Sequence, residues 1–342
     1  MRIDAFTHVL SDAYLRRVLE LLRARGDRTA RDYEGMLFSD PTLTNLDERW
    51  KLMDELEAKL GDDYRQVLVM AHTSAEHEDP DTALDLARIG NEELAGLVAD
   101  HPDRFVGWVA QTALQAGERN LEMIRGAIED GALGVQIYTS IQGRALDQPD
   151  YEPFFALMAE LDRPIWIHPN RTVQWSDFPL SEPESLYGLY SRLGWPSDTA
   201  ITMCRLVYAG YLERWPNLKI ITHHSGGTVP MLAGRVKLTT GFRAVEGGEA
   251  PTALKHPPLE YLRRFYCDTA NFGNPIALRA ALEFFGPDQV LFGTDFGFSP
   301  LFAPETIDDM ETVVQDEALK QQLYEDNARR VLRLDERATV SA

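Results

Sequence analysis

Residues 218–230, LKIITHHSGGTVP, contain the pattern that decides the fold. A short apolar run with β-branched residues predicts a strand, and the helix-compatible run after it predicts a helix. Between them stand two histidines and a Ser-Gly-Gly triplet, which allows close approach of the backbone to a ligand. Neighbouring side chains on a strand face opposite ways, so His223 and His224 cannot both face one pocket if the strand runs to its end. One is a candidate for chemistry, and the other is expected to pack or to form a hydrogen bond.

Seven further apolar runs predict strands at residues 2–8, 66–70, 104–109, 133–138, 164–168, 264–268 and 289–295. Helices are expected near 14–23, 45–56, 82–100, 116–130, 151–161, 198–214, 231–238, 304–315 and 317–332. Eight strands that mostly alternate with helices in 342 residues predict an α/β fold, a closed (β/α)8 TIM barrel. The rival, an open doubly wound sheet, lacks a glycine-rich dinucleotide fingerprint after its first strand. We expect one domain over 1–342, with a helical insertion at about 10–63.

Charge and composition exclude several classes of protein. The chain has 34 basic and 54 acidic residues, a net charge of −20, which disfavours nucleic acid and anionic membrane surfaces as partners. Cys204 and Cys267 form neither a disulfide framework nor a thiolate metal site, so free thiols in a reducing compartment are expected. No apolar run is long enough for a transmembrane helix, and the first residues lack a signal-peptide pattern. These features predict a soluble, cytoplasmic protein.

Polar residues stand at four of the predicted strand ends. They are His8 after strand one, His168 after strand five, the His223–His224 pair after strand six and Asp295 after strand eight. Alone, each is more often a structural hydrogen-bonding group than a ligand. Reacting groups of such barrels sit at the C-terminal strand ends, however, so their joint placement predicts one divalent-metal site. Imidazole and carboxylate suit zinc, which we expect, and also manganese or iron.

Several motifs carry a resemblance to a known family: IDAFTH, GVQIYTS, PIWIHP, ITHHSGGTVP, FGTDF and DNARRVL. They span nearly the whole chain. The sequence resembles the amidohydrolase superfamily, in its aminocarboxymuconate-semialdehyde decarboxylase-like branch. The resemblance implies a metal-dependent (β/α)8 enzyme, in many members a nonoxidative decarboxylase. It also implies that His8, His168 and Asp295 are metal ligands and that His224 and Asp295 are catalytic.

The chain departs from the family at position 6. The family carries a His-x-His pair on strand one, and Phe6 stands where the first histidine belongs. Positions i and i+2 of a strand face one way, so the paired rings of the family can hold one ion together. Three candidate ligands remain here, which is enough for a catalytic ion. A metal-free site stays an alternative because Phe6 replaces a ligand.

A carboxylic acid substrate requires a basic group near the metal. Arg171, three residues past His168, is the candidate carboxylate clamp, because a guanidinium matches a carboxylate with two hydrogen bonds. Arg205 and Arg49 are weaker candidates, and a solvated surface arginine is the favoured interpretation of Arg49. The remaining substrate-binding candidates are Phe6, Trp175, His223 and Phe296. Trp175 and Phe296, with Trp195 and Phe298, are candidates for the wall of an aromatic pocket, although scattered aromatic residues fit a buried core equally well.

Three functions stay open from the sequence. The leading hypothesis is a metal-dependent decarboxylase of a small aromatic or unsaturated acid. A metal-dependent hydrolase of an amide, ester or lactone would use the same residues with a metal-activated water. A metal-free ligand-binding barrel is the third. A homodimer is expected from the resemblance, with the loops at 172–198 and 242–258 as its interface.

Overall fold

The computed structural model describes residues 1–26, 31, 34–35, 37–71, 75–237 and 254–338. Most of the loop predicted at 242–258 therefore lies outside the described residues. Within them, strands lie at Arg2–Val9 (β1), Tyr64–Met70 (β2), Phe105–Val109 (β3), Val135–Tyr138 (β4), Ser140–Ile141 (β5), Arg144–Ala145 (β6), Ile165–His168 (β7), Ile220–Thr222 (β8) and Tyr266–Cys267 (β9).

The strands close into a barrel. Parallel ladders join β1, β2 and β3, and a second set joins β4, β7, β8 and β9. A bridge between Ala110 and Val135 links the two sets. The segment 290–296 fills the last gap: it bridges Cys267 on one side, and Phe296 bridges Thr7 on the other. The barrel prediction is confirmed, and its eighth strand pairs through isolated bridges rather than through a regular ladder.

Helices cover the outside of the barrel. They are Asp12–Arg25 (α1), Leu46–Leu60 (α2), Pro80–Asp100 (α3), Glu118–Glu129 (α4), Glu152–Leu161 (α5), Trp195–Tyr208 (α6), Tyr211–Arg214 (α7), Val229–Val236 (α8), Pro258–Leu262 (α9), Pro275–Phe285 (α10), Phe302–Val313 (α11), Glu317–Gln321 (α12), Asn327–Leu332 (α13) and Leu334–Ala338 (α14). Helix α10 was not predicted. Its start carries an ordinary signal, because the Asn274 side chain accepts from the amide of Ala277 and a proline follows.

None of the described helices has the length and apolar content needed to cross a bilayer. The segment from residue 10 to residue 63 contains α1, a short turn at Pro41–Leu43, and α2, which begins at Leu46 directly after its N-cap residue Asn45. The Asn45 side chain accepts from the amides of Asp47 and Glu48 and so satisfies donors at the first turn.

Apolar side chains fill the lower barrel and lead upward to the polar strand ends. Trp166 on β7 and Ile221 on β8 belong to this interior cluster with Ile3, Ala5, Phe6, Val67, Val69, Val109, Leu133 and Leu291. Because side chains alternate along a strand, the residues two positions further on face the same interior. These residues are His168 and His223. The fold thus aims the predicted site residues at one volume above the apolar interior.

Candidate metal centre

Three predicted ligands meet at the upper end of the barrel. His8, His168 and Asp295 are all buried, and their ligand atoms lie within 4.8 Å of one another. His8 Nε2 is 3.1 Å from Asp295 Oδ1. The residues are 127 or more positions apart along the chain, so the barrel alone brings them together.

Several buried atoms of this trio have no hydrogen-bond partner. They are both ring nitrogens of His8 and Oδ1 of Asp295. The 3.1 Å contact between His8 and Asp295 has the distance of an ion pair but not the geometry of a hydrogen bond. Most buried polar atoms are paired, so this arrangement fits atoms that face a shared cation. The Nδ1 of His168 lies 2.5 Å from the Pro169 carbonyl, a contact that orients the ring as in many metal-binding histidines.

Phe6 lies against the ligands, where the sequence places it. Its ring stacks on His223 with centroids 3.5 Å apart, and meets the His8 ring edge-on at 4.6 Å. The side chain is 1% exposed. A ring at position 6 therefore reaches the site, but a phenyl ring provides no ligand atom.

The two histidines after β8 have different surroundings. His223 is completely buried, and its Nδ1 donates to Asp268 Oδ2 at 2.8 Å. Burial lowers the pKa of His223, and the hydrogen bond to Asp268 opposes that shift. His224 is half-buried, has a positive φ of 55°, and its Nδ1 lies 3.1 Å from the Ala270 carbonyl. Asp268 was not identified as a site residue from the sequence, although it is the last residue of the predicted seventh strand.

Arg171 and two tryptophans form one side of the barrel mouth. The Arg171 guanidinium lies 5.4 Å from the Trp175 ring centre, and its Nε is 3.7 Å from Asp198 Oδ2. Trp195 donates to the Arg171 carbonyl at 2.9 Å and lies 5.6 Å from the His168 ring. A Cβ at Gly194 would stand 2.5 Å from Arg171 Cδ, so the glycine leaves the space that this side chain occupies.

Two substrate-binding candidates lie elsewhere. The Arg205 guanidinium pairs with Asp147, with nitrogens 2.8 and 2.9 Å from Oδ1. Phe296 packs under the Arg49 guanidinium at 4.6 Å. This contact corrects the prediction that Phe296 lines the pocket, because the ring packs against the buried Arg49 guanidinium. Phe298 instead reaches the site, 5.0 Å from the His8 ring.

Arg49 is neither a carboxylate clamp nor a surface residue, so both interpretations of it were wrong. The side chain is completely buried. It donates to the His8 carbonyl at 2.7 Å, to Thr7 Oγ1 at 3.0 Å and to Gln66 Oε1 at 2.8 Å. These three acceptors bind the guanidinium on the side of the metal ligands that faces away from the barrel mouth.

Comparisons with known proteins agree with this geometry. The chain is 32% identical over 222 residues to the 2-amino-3-carboxymuconate-6-semialdehyde decarboxylase of Dictyostelium discoideum, a match that covers 64% of this chain and 58% of that protein. It is 26% identical over 314 residues to the gamma-resorcylate decarboxylase of Rhizobium radiobacter, covering 85% of this chain and 88% of the relative. The match to the first relative thus spans less than two thirds of its length.

A solved structure shares the fold over the whole chain. The 5-carboxyvanillate decarboxylase of Sphingomonas paucimobilis superposes with a TM-score of 0.80 at 25% identity, over 97% of this chain and 98% of that one. The family model described as amidohydrolase matches residues 3–334. The relatives named above are those expected for the decarboxylase-like branch that the sequence motifs indicate. The chain therefore belongs to the amidohydrolase family.

Proposed function

We propose that the protein is a metal-dependent nonoxidative decarboxylase that acts on a small aromatic or unsaturated carboxylic acid. The observation that carries the proposal is the buried trio of His8, His168 and Asp295, with ligand atoms within 4.8 Å of one another. The relatives add the reaction class, since they are named as decarboxylases of a carboxymuconate semialdehyde, a resorcylate and a carboxyvanillate.

His8, His168 and Asp295 would hold a divalent ion, because two imidazoles and one carboxylate leave positions open for a substrate. When bound, the ion supplies positive charge for the substrate oxygens and for the negative charge that develops as carbon dioxide leaves. We propose zinc, with manganese as the alternative, because both accept these ligand types. Elemental analysis of the purified protein identifies the ion. A metal-free sample that added zinc or manganese does not activate would instead favour a ligand-binding barrel.

Arg171 is the proposed clamp for the substrate carboxylate. It stands at the barrel mouth, three residues past His168, and its buried Nε has no hydrogen-bond partner. Its contact with Asp198 is long, at 3.7 Å. The guanidinium therefore keeps donors available for two parallel hydrogen bonds to a carboxylate.

The reaction breaks the bond between a carbon and its carboxylate, leaves the electron pair on that carbon, and places one proton there. We propose His224 as the proton donor, with Asp295 as the alternative. His224 is half-buried, so it can exchange protons with solvent between turnovers, and its Nδ1 is oriented by the Ala270 carbonyl. His223 is the proposed substrate-binding neighbour, held by Asp268.

The test measures both possible products of the site. Purified protein loaded with zinc or manganese is incubated with aromatic acids of the kinds that the relatives are named for, in isotopically labelled water. Decarboxylation releases carbon dioxide and places one solvent hydrogen on the product carbon. Incorporation of solvent oxygen without release of carbon dioxide would show a hydrolase and would overturn the proposal. The same protein stripped of metal is the control.

We also propose that the protein is a cytoplasmic homodimer. Support for the dimer comes from residues 172–198, which expose large apolar side chains, including Phe178, Leu180 and Tyr187. Support for the location comes from Cys204 and Cys267, which are both free thiols. Sedimentation of the wild type and of Leu180→Glu tests the dimer, and a monomeric wild type would contradict it. Cell fractionation tests the location.

A further inference from the structure

A buried polar network lies behind the metal site and takes no part in the reaction proposed above. It joins β1, the insertion helix α2, the start of β2 and the segment 290–296. We infer that Asp4 and Arg49 are positioning residues: together they hold His8 and Asp295, the ligands from the first and last barrel strands, at the spacing that a divalent ion requires. The inference rests on the metal site of the proposed function.

Arg49 fixes the end of β1. Its guanidinium comes from α2, is completely buried, and donates to the His8 carbonyl at 2.7 Å. Two further bonds, to Thr7 Oγ1 and Gln66 Oε1, fix the guanidinium itself. Thr7 in turn donates to the Val67 carbonyl at 2.9 Å. The backbone of a metal ligand is therefore tied both to the insertion helix and to β2.

Asp4 fixes the backbone next to the other ligand. Its Oδ1 accepts from the amides of Phe6 at 3.2 Å and of Thr294 at 3.0 Å. Its Oδ2 accepts from the hydroxyls of Thr294 and Tyr64, each at 2.6 Å. Thr294 directly precedes Asp295, so one carboxylate ties the strand that carries His8 to the residue before the aspartate ligand.

The conformation of Asp295 shows why such a constraint is needed. The backbone of this residue has a positive φ of 59°, which residues other than glycine rarely adopt. Its amide donates to the Phe6 carbonyl at 3.0 Å. Strained backbone of this kind persists only where the surroundings determine it, and it concentrates at functional sites. The two hydrogen bonds from Thr294 to Asp4 fix the backbone at the residue directly before Asp295.

Stability alone does not explain these two charges. Burial raises the pKa of Asp4 to about 7 and lowers the pKa of Arg49 to about 10, so both charged forms are costly inside the protein. Buried ionic groups can often be replaced by apolar residues without loss of stability. Arg49 lies against the backbone of His8, and Asp4 lies against the backbone of Thr294, the residue before Asp295. Orientation of the ligands explains this placement, since groups that support ligands control the affinity for a metal.

The test compares two variants with a matched control. Asp4→Asn and Arg49→Met are made in the full chain, with Asn327→Ala as control. Asn327 is also a buried polar residue, but its amide holds the carbonyls of Pro287 and Val290, each at 2.7 Å. Zinc and manganese affinities are measured by calorimetry on stripped protein, beside the free energy of unfolding. We expect Asp4→Asn and Arg49→Met to bind metal at least about tenfold more weakly. The control should lose stability alone.

Unchanged metal affinity in both variants would overturn the inference. If either variant does not fold, Tyr64→Phe and Arg49→Lys replace it, because each alters the hydrogen bonds of one positioning residue; wild-type affinity in these would count equally against it. Crystals of the stripped variants add an independent measurement, in which the 3.1 Å separation of His8 Nε2 and Asp295 Oδ1 should increase. That distance decides the inference even if the wild type binds no ion, a result that would remove only the proposed function.

Discussion

The candidate site has a deep half and a rim half with different surroundings. The deep half consists of Phe6, His8, His168, His223 and Asp295, none of which is more than 5% exposed. Each of these side chains lies on a barrel strand or close after one. Backbone hydrogen bonds between β1 and the segment 290–296, and one from Arg49 of α2, fix the backbone of His8 and Asp295. The deep half is thus built as a rigid frame.

The rim half consists of Arg171, Trp175 and His224, which are all partly exposed to solvent. Trp175 is 40% exposed, and the only ion pair of Arg171 among the described residues is the 3.7 Å contact to Asp198. A metal needs fixed ligands, whereas a substrate and a proton must enter and leave. The difference therefore predicts that deep-half changes affect metal binding and turnover together, and that rim changes act on single steps.

The largest effect is expected in the deep half, from Asp295→Asn. The variant keeps the shape of the side chain but removes the only negative charge among the three ligands, so both metal content and turnover should be lost. We expect kcat/KM to fall at least about a thousandfold, which corresponds to about 4 kcal/mol. Steady-state kinetics and elemental analysis check this, with circular dichroism as the control for folding. Near-normal rates would remove Asp295 from the chemistry.

The next largest effect is expected from two neighbouring residues, His223 in the deep half and His224 in the rim half. His224→Ala should lower kcat at least about a hundredfold while metal content stays at the wild-type level, because a proton donor is lost and the ligands remain. His223→Ala should lower kcat less and should weaken binding of the substrate, since this ring lies beside His168 and Phe6. Parallel pH–rate profiles of both variants check the assignment. A larger loss of kcat in His223→Ala than in His224→Ala would identify His223 as the proton donor.

The sequence predicts the deep half well because strand ends are local features. An apolar run followed by a histidine or an aspartate is visible without any knowledge of distant residues, and the barrel closes these ends into one ring. This suffices for His8, His168 and Asp295. The sequence interpretation placed Phe296 in the pocket, whereas in the structure its ring lies against the Arg49 guanidinium.

Residues whose environment depends on distant packing were not predictable. Arg49 is 41 residues from its acceptor His8, and its burial follows from how α2 packs over β1 and β2. Nothing local in the sequence separates it from a surface arginine of an amphipathic helix. Phe296 and Phe298 were both named from the sequence as pocket candidates, and only the structure shows that Phe298 reaches the site and that Phe296 does not. Gly297, with a φ of 118°, lies between them.

A substitution at the rim should act on substrate binding alone. Arg171→Lys keeps the positive charge but loses the fork of two parallel donors, so we expect KM to rise between about tenfold and about a hundredfold with little change in kcat. Arg205→Lys is the matched comparison, since that guanidinium is paired with Asp147. Kinetics with the same acid check both variants. A rise in KM for Arg205→Lys instead would make Arg205 the clamp.

Phe6→His tests whether the deep half has a vacant ligand position. The new imidazole would stand next to His8, where the present ring centroids are 4.6 Å apart, and should tighten metal binding by about tenfold, or about 1.4 kcal/mol. It should also disturb His223, which loses its stacked partner. Calorimetry with zinc and manganese measures the gain, and Phe6→Leu serves as the control without a ligand. Unchanged affinity in Phe6→His would place position 6 away from the ion.

The smallest effect concerns Glu76, a buried residue below the rim half, and its contribution to the stability of the folded protein. Glu76 is 2% exposed, accepts from Asn170 two residues past His168, and has its pKa raised by burial to about 7. A raised folded-state pKa means that the folded protein binds this proton more tightly than the unfolded chain. The stability contributed by Glu76 is thus complete below about pH 4.5 and is lost as the pH rises through about 7. Glu76→Gln should remove this loss.

Urea unfolding of the wild type and of Glu76→Gln, between acidic and mildly basic pH, isolates the contribution of Glu76 to the free energy of unfolding. Asp4 titrates in the same window, but it is present in both proteins and cancels in the difference. The variant should gain on the order of 1 kcal/mol over the wild type as the pH rises through 7, with metal affinity unchanged. A pH-independent difference would mean that the pKa of Glu76 is the same in the folded and the unfolded chain, so that Glu76 is ionised in the folded protein at neutral pH. The rim would then rest on a charged carboxylate, and Asn170 would have to stabilise that charge.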